Sequence, residues 1–174
     1  MLNAGELLTR ATIWGALVGY AWGAALLWST RSDGSRLDAA RIAWTLGCVF
    51  FVAHFFCAFQ FYHHWSHADA YEETARQTEG MTGLRSGSGL YLNYVFGLVW
   101  ITLVAWWWLA PAKFFAQSGW SFALWNGFAL FMIFNGTVVF GKGPVRWLGG
   151  AICLGLAILW WRQRRGRAFS TSHG

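Results

Sequence analysis

Four stretches of this chain carry no Asp, Glu, Lys or Arg at all: residues 11–30, 42–68, 86–112 and 114–141. Each is long enough to cross a bilayer, because about 20 mainly apolar residues at 1.5 Å rise cover roughly 30 Å of hydrocarbon. A fifth and shorter run, 147–161, becomes a span once Val145 and a snorkelling Arg146 are added. In lipid every backbone polar group must bond within the protein, and these unbroken runs lack the alternation of an outer-membrane barrel, so helices are the expected form. The sequence predicts an all-α polytopic membrane protein, a five-helix transmembrane bundle with spans near 11–30, 42–63, 91–112, 121–140 and 145–161. The whole of 1–174 is then a single transmembrane domain, with 68–89 as its main extramembrane loop.

Composition narrows the class further. Charged residues make up 11% of the chain and hydrophobic ones 56%, against about 25% charged in an average soluble domain, which excludes an ordinary soluble enzyme. With 21 Gly in no three-residue period and 3 Cys, collagen and a disulfide scaffold are excluded too. The first apolar stretch follows Glu6 and Arg10 and leads to no small-residue cleavage pattern, so it reads as a retained span rather than a secretory signal.

Small residues forecast where helices meet. Gly15, Gly19 and Gly23 recur every four residues and bare one face of helix one for close approach, and Ala151 and Gly155 offer a weaker version in helix five. Direction comes from alternate loops. Arg31, Arg36, Arg41, Lys113, Arg162, Arg164, Arg165 and Arg167 fall on one side, and Arg10, Arg76, Arg85, Lys142 and Arg146 on the other. The richer side is expected in the cytoplasm, giving an inner-membrane protein with its N-terminus outside and its C-terminus inside. The pI of 9.7 is then a signal of orientation and anionic lipid, and no nucleic-acid partner is expected. Most of the 14 Trp are expected in an interfacial belt: Trp65, Trp106, Trp107, Trp108, Trp120, Trp160 and Trp161 all lie near span ends.

The stretch from His54 to Gln77 holds four of the five histidines. Residues 68–77 contain no Gly or Pro, Glu72 and Arg76 are spaced for an i, i+4 pair and Gly80 offers a stop, so helix two is expected to continue as one helix for a few turns beyond the bilayer. On it His63 and His67 share a side, and His64 neighbours His67, a spacing at which two imidazoles chelate copper, zinc or iron. Glu6, Asp69, Glu72 or water are candidate third ligands, Asp69 and Glu72 are alternatively acceptors for an imidazole N–H, and Tyr71 extends the His64–His67 stripe. A single HHxxH is too few histidines for a membrane di-iron site and has no Glu for zinc hydrolysis.

His54 lies about 13 Å below His63 on such a helix and cannot join it. At that depth it is level with Met132 of helix four, which permits a His/Met-ligated haem b. Polar residues also converge on one membrane face: Gln60, His63, His64 and His67 end helix two, Tyr91, Asn93 and Tyr94 begin helix three, and Asn135 and Thr137 end helix four. Gln60 and Asn135 sit about a turn inside the apolar run, where a polar group bonds another helix or lines a wet cavity. These residues are expected to line a pocket. Two functions of different class follow: a metal- or haem-binding redox or metal-handling protein, or a non-catalytic membrane subunit or scaffold. The second would use its histidine-rich helix-two extension and 68–89 loop to bind a membrane-complex partner or another copy of the chain.

Overall fold

The computed structural model describes residues 3–29, 34–141 and 143–170, and of 144 and 163–170 the backbone alone. Arg31 and Lys142, both used in the charge count, lie outside the described residues. All regular structure among the described residues is helical: α1 (Ala4–Ser29), α2 (Gly34–Phe61), α3 (His67–Thr82), α4 (Gly89–Leu109), α5 (Pro111–Phe115), α6 (Gly119–Phe134) and α7 (Pro144–Ser170). A single π-helical turn, Asn135–Val139, prolongs α6. Five segments are long and apolar enough to span a membrane, namely α1, α2, α4, α6 with its π turn, and 145–162 of α7. The protein is a multi-pass helical bundle, and its apolar outer surface suits a lipid bilayer.

The glycine face of α1 meets α2 in antiparallel register. A Cβ on Gly19 would lie within 2.5 Å of the Gly47 backbone, one on Gly23 within 3.0 Å of the Ala40 carbonyl, and one on Gly15 within 2.7 Å of the Phe50 ring. Backbone lies directly against backbone at Gly19 and Gly47. The expectation for helix five does not hold within the chain, since Ala151 is exposed and Gly155 faces open space. Among the glycines of α7, Gly149 and Gly150 approach a neighbour, Thr137 and Val138 of the π turn, while Leu156 is buried in the core.

Tryptophan is divided between two roles. Trp65, Trp108, Trp120 and Trp161 are exposed, as a belt requires. Trp107, expected in the belt, is instead buried with Trp28, Trp44, Trp100 and Trp125. These rings fill the half of the bundle farther from α3, packing edge-on or stacked: Trp44 meets Trp107 at 5.4 Å and 70°, and Trp107 stacks on Phe114 at 4.9 Å and 3°. A belt position and a core position look alike in sequence, because both lie near a helix end, and packing of α5 over that end decides between them. Tyr20 donates from its hydroxyl to the buried Asn126 at 3.3 Å, a polar tie within this aromatic half.

Helix two does not continue past the membrane as one helix. It ends at Phe61, residues 62–66 form a tight turn, and α3 starts afresh at His67. The turn places His64 (φ 46°) and Trp65 (φ 61°) in the left-handed region, which non-glycine residues adopt at a cost. Its bonds compensate: the Trp65 backbone N–H donates to the Phe59 carbonyl at 3.1 Å, the Ser66 N–H to the His63 carbonyl at 2.7 Å, and the Trp65 indole N–H to Gln60 at 2.9 Å. Ser66 then caps α3 by accepting from the Asp69 N–H at 3.1 Å. The C-cap is Gly83 (φ 76°) rather than Gly80.

Candidate functional site

The half of the bundle not filled with tryptophan carries a cleft open to its surroundings. A cavity of about 1260 Å³ runs between α1, α2, α4 and α6, with α3 across its mouth. Its inner end is apolar, with Phe51 partly exposed and the buried rings of Tyr20, Phe96 and Trp100 packed behind it. Those rings hold one another in place, with Phe51 at 5.1 Å from Phe96 and 5.8 Å from Trp100, and Tyr20 edge-on to Trp100 at 5.5 Å. The rim is polar and comes from four elements: His63 in the turn, Asp69, Glu72 and Glu73 on α3, Asn93 on α4 and Asn135 in the π turn. The π turn widens the backbone where Asn135 and Thr137 reach the cavity, with the Phe140 N–H bonding the Asn135 carbonyl at 2.9 Å.

His54 occupies the wall between inner end and rim. Its Nδ1 lies 2.9 Å from the main-chain carbonyl of Thr9 on α1. A carbonyl only accepts, so Nδ1 carries the hydrogen, and in the neutral ring Nε2 is left as an acceptor. Among the described residues Nε2 has no hydrogen-bond partner, and His54 is only half-buried by protein. Met132 lines the same cavity from α6.

The histidines expected to act together are separated by the turn. His63 lies in it and faces the cavity, His64 is exposed, and His67 begins α3. His67 is engaged at both ring nitrogens, by the hydroxyls of Tyr94 at 3.0 Å and Tyr91 at 3.4 Å, and so straps the start of α3 to α4. The one-turn spacing of His63 and His67 assumed a continuous helix, and that helix is interrupted. Among the described residues no group of three or more His, Cys, Asp or Glu side chains is placed to hold a metal ion.

Other expected site residues divide in the same way. Asp69, Glu72, Asn93 and Asn135 reach the cavity, whereas Gln60 is spent on Trp65 and Tyr71 packs on Tyr91 at 6.0 Å. Glu72 pairs with Arg85 rather than Arg76, and Arg76 pairs with Glu73, one residue closer. Arg85 also binds Glu79 at 2.9 Å, so one guanidinium from the return loop grips α3 at two points. Glu73 was not foreseen as a rim residue, although its i, i+4 bond from Gln77 at 2.9 Å was readable from spacing.

Electrostatics at the rim are set by partial burial. Burial pushes the His63 imidazole below its ordinary value of 6.5, the carboxylates of Glu73 and Asp69 oppose that shift, and His64 adds to it. Glu73 is held below the usual carboxylate range by the Gln77 amide, against some desolvation, with help from Arg76. Two of the three rim carboxylates are thus paired with arginine, while Asp69 has no ion pair among the described residues.

No protein-family model matches this chain, and no curated protein or solved structure matches it either.

Proposed function

We propose that this protein binds an amphipathic molecule of the membrane in the cavity beneath α3. The observation that carries this reading is one continuous space of about 1260 Å³ that passes from an apolar inner end to a polar rim at the end of the bundle. Such a space suits a ligand with an apolar body and a polar end, and it exceeds the roughly 300–1,000 Å³ of ordinary small-molecule pockets. Protein taken from native membranes in mild detergent should carry a bound lipid-sized mass in native mass spectrometry. Ala58→Trp, which places an indole in the cavity wall, should lose that mass while the bundle stays folded. Protein without a bound mass, or a mass indifferent to Ala58→Trp, overturns the reading.

A redox role with haem b is a second reading, favoured by His54 and Met132 lining one cavity and by the Thr9 carbonyl bond. Metal-bound histidines commonly donate their other N–H to such an acceptor. It requires a Soret band in the purified protein that disappears in His54→Ala, and wild type without that band excludes it. For placement, we assign the protein to the cytoplasmic membrane with the α3 face outside, on the arginine and lysine excess of the opposite loops. A phosphatase reporter fused after the last residue should be inactive, and an active one reverses the assignment.

A further inference from the structure

We infer that the cavity is loaded sideways from the bilayer, through a gap between α4 and α6, with the acyl chain of a membrane lipid. This rests on the cavity reading above and names the ligand class and its way in. Toward the middle of the bundle α4 and α6 touch, Phe96 stacking on Trp125 at 5.3 Å and meeting Phe128 edge-on at 5.7 Å. Leu92 and Asn93 lie one turn from Phe96 on the same face of α4, and Phe131 and Asn135 lie one and two turns from Phe128 on the same face of α6. If the seam continued toward α3, these residues would cover one another. Instead Leu92 is 41% and Phe131 49% exposed, and all four residues line the cavity. The seam is open at that level, and the opening lies within both spans.

Where the gap lies determines what fills it. The surroundings of a span are hydrocarbon, so acyl chains cover the exposed Leu92 and Phe131. A chain that slides between them meets the aliphatic side chains of Ile13, Ala58 and Ile133 inside. Asn93 and Asn135 flank the gap and offer uncharged partners for ester or glycerol oxygens; Asn135 Nδ2 donates to the Phe131 carbonyl at 2.8 Å, which leaves Oδ1 to accept. The way past α3, by contrast, is fastened. Ala70 is buried with Phe59 and Leu90, His67 is held by Tyr91 and Tyr94, and Arg85 binds Glu72 and Glu79. Entry there would break these ties, whereas a chain entering between Leu92 and Phe131 disturbs none of them.

A phosphatidylcholine with a diazirine in mid-chain, added to the full chain in reconstituted vesicles and photolysed after a short incubation, tests this by peptide mass spectrometry. Adducts should form at Leu92 and Phe131 and, inside, at Ala58 and Met132. Leu92→Trp, which fills the gap at an exposed position, should lose the inner adducts. Leu98→Trp, on a part of α4 that is 67% exposed and away from the cavity, should keep them. Arg85→Ala, which loosens α3, should leave their yield unchanged. Adducts confined to outward residues such as Leu98 and Leu124 overturn the proposal without any variant. Inner adducts that survive Leu92→Trp overturn it too, as do inner adducts that rise in Arg85→Ala, which would put the entry at α3. A co-purified lipid mass sensitive to Ala58→Trp, with inner adducts indifferent to Leu92→Trp, defeats this inference and leaves the cavity reading standing. Absence of both the mass and the inner adducts defeats both.

Discussion

His54 on α2 donates its Nδ1 hydrogen to the backbone carbonyl of Thr9 on α1, across 45 residues of sequence, at 2.9 Å. This bond sets the tautomer, aims the ring and links the pair of helices that meet at Gly19 and Gly47. Replacing His54 with Phe keeps the bulk and removes the bond. Stability in detergent should fall by about 0.5–1.5 kcal/mol, read as a lower thermal unfolding midpoint, and an unchanged midpoint would show that the bond contributes nothing.

Close approach of α1 and α2 at Gly19 and Gly47 leaves no room for a side chain. Gly19→Leu should therefore cost about 1–3 kcal/mol or more, because backbone rather than a flexible side chain must give way. Gly155→Leu, on the open side of α7, should leave the midpoint where it was. Equal effects of the two substitutions would contradict the packing described.

Ser66→Ala removes the side chain that accepts the Asp69 N–H at the start of α3. A lost N-cap costs about 1 kcal/mol, and because α3 lies outside the spans the loss should appear there as faster amide hydrogen exchange at its first turn. Exchange in α4 should not change.

Arg85→Ala releases both Glu72 and Glu79. These pairs are exposed and worth no more than about 1 kcal/mol together, so the bundle should remain folded while exchange along α3 rises. A global loss of stability would mean that Arg85 does more than hold α3 down.

The pH response of the rim has a defined sign. The folded-state pKa of His63 lies below its ordinary 6.5, chiefly through burial, so above that value the ring is neutral in both states and contributes no pH dependence. As pH falls through 6.5 toward the lower folded value, the unfolded chain takes up the proton first and the folded state loses stability. A titration of His63 by NMR should give a midpoint under 6.5, and Glu73→Gln, which removes an opposing carboxylate, should lower it further. A midpoint at or above 6.5 would contradict the burial of the ring.

Much of the bundle was legible in the chain. Charge-free runs marked the spans because a charge in hydrocarbon is costly wherever its helix packs, and the Gly15, Gly19, Gly23 period marked the seam with α2 because only bare backbone lets helices touch there. The break between α2 and α3 was not legible. Residues 62–66 contain neither Gly nor Pro, and the left-handed turn at His64 and Trp65 is held by Gln60, Phe59 and the Ser66 cap acting together. With that turn the histidine pairing read from helical spacing was lost, since an i, i+4 argument is only as good as the helix beneath it.

Transfer free energy and chain length therefore determined, from sequence alone, that the protein is a membrane bundle of helices with a polar end. Those quantities depend on each residue's own chemistry and on near neighbours. Tertiary structure decided which tryptophans fill one half, that a cleft opens in the other, and that His54 and His63 line it while His64 is exposed and His67 is taken up by Tyr91 and Tyr94. Each of these depends on which side chains of separate helices meet, and that is set by the rotation and register of helices packed together.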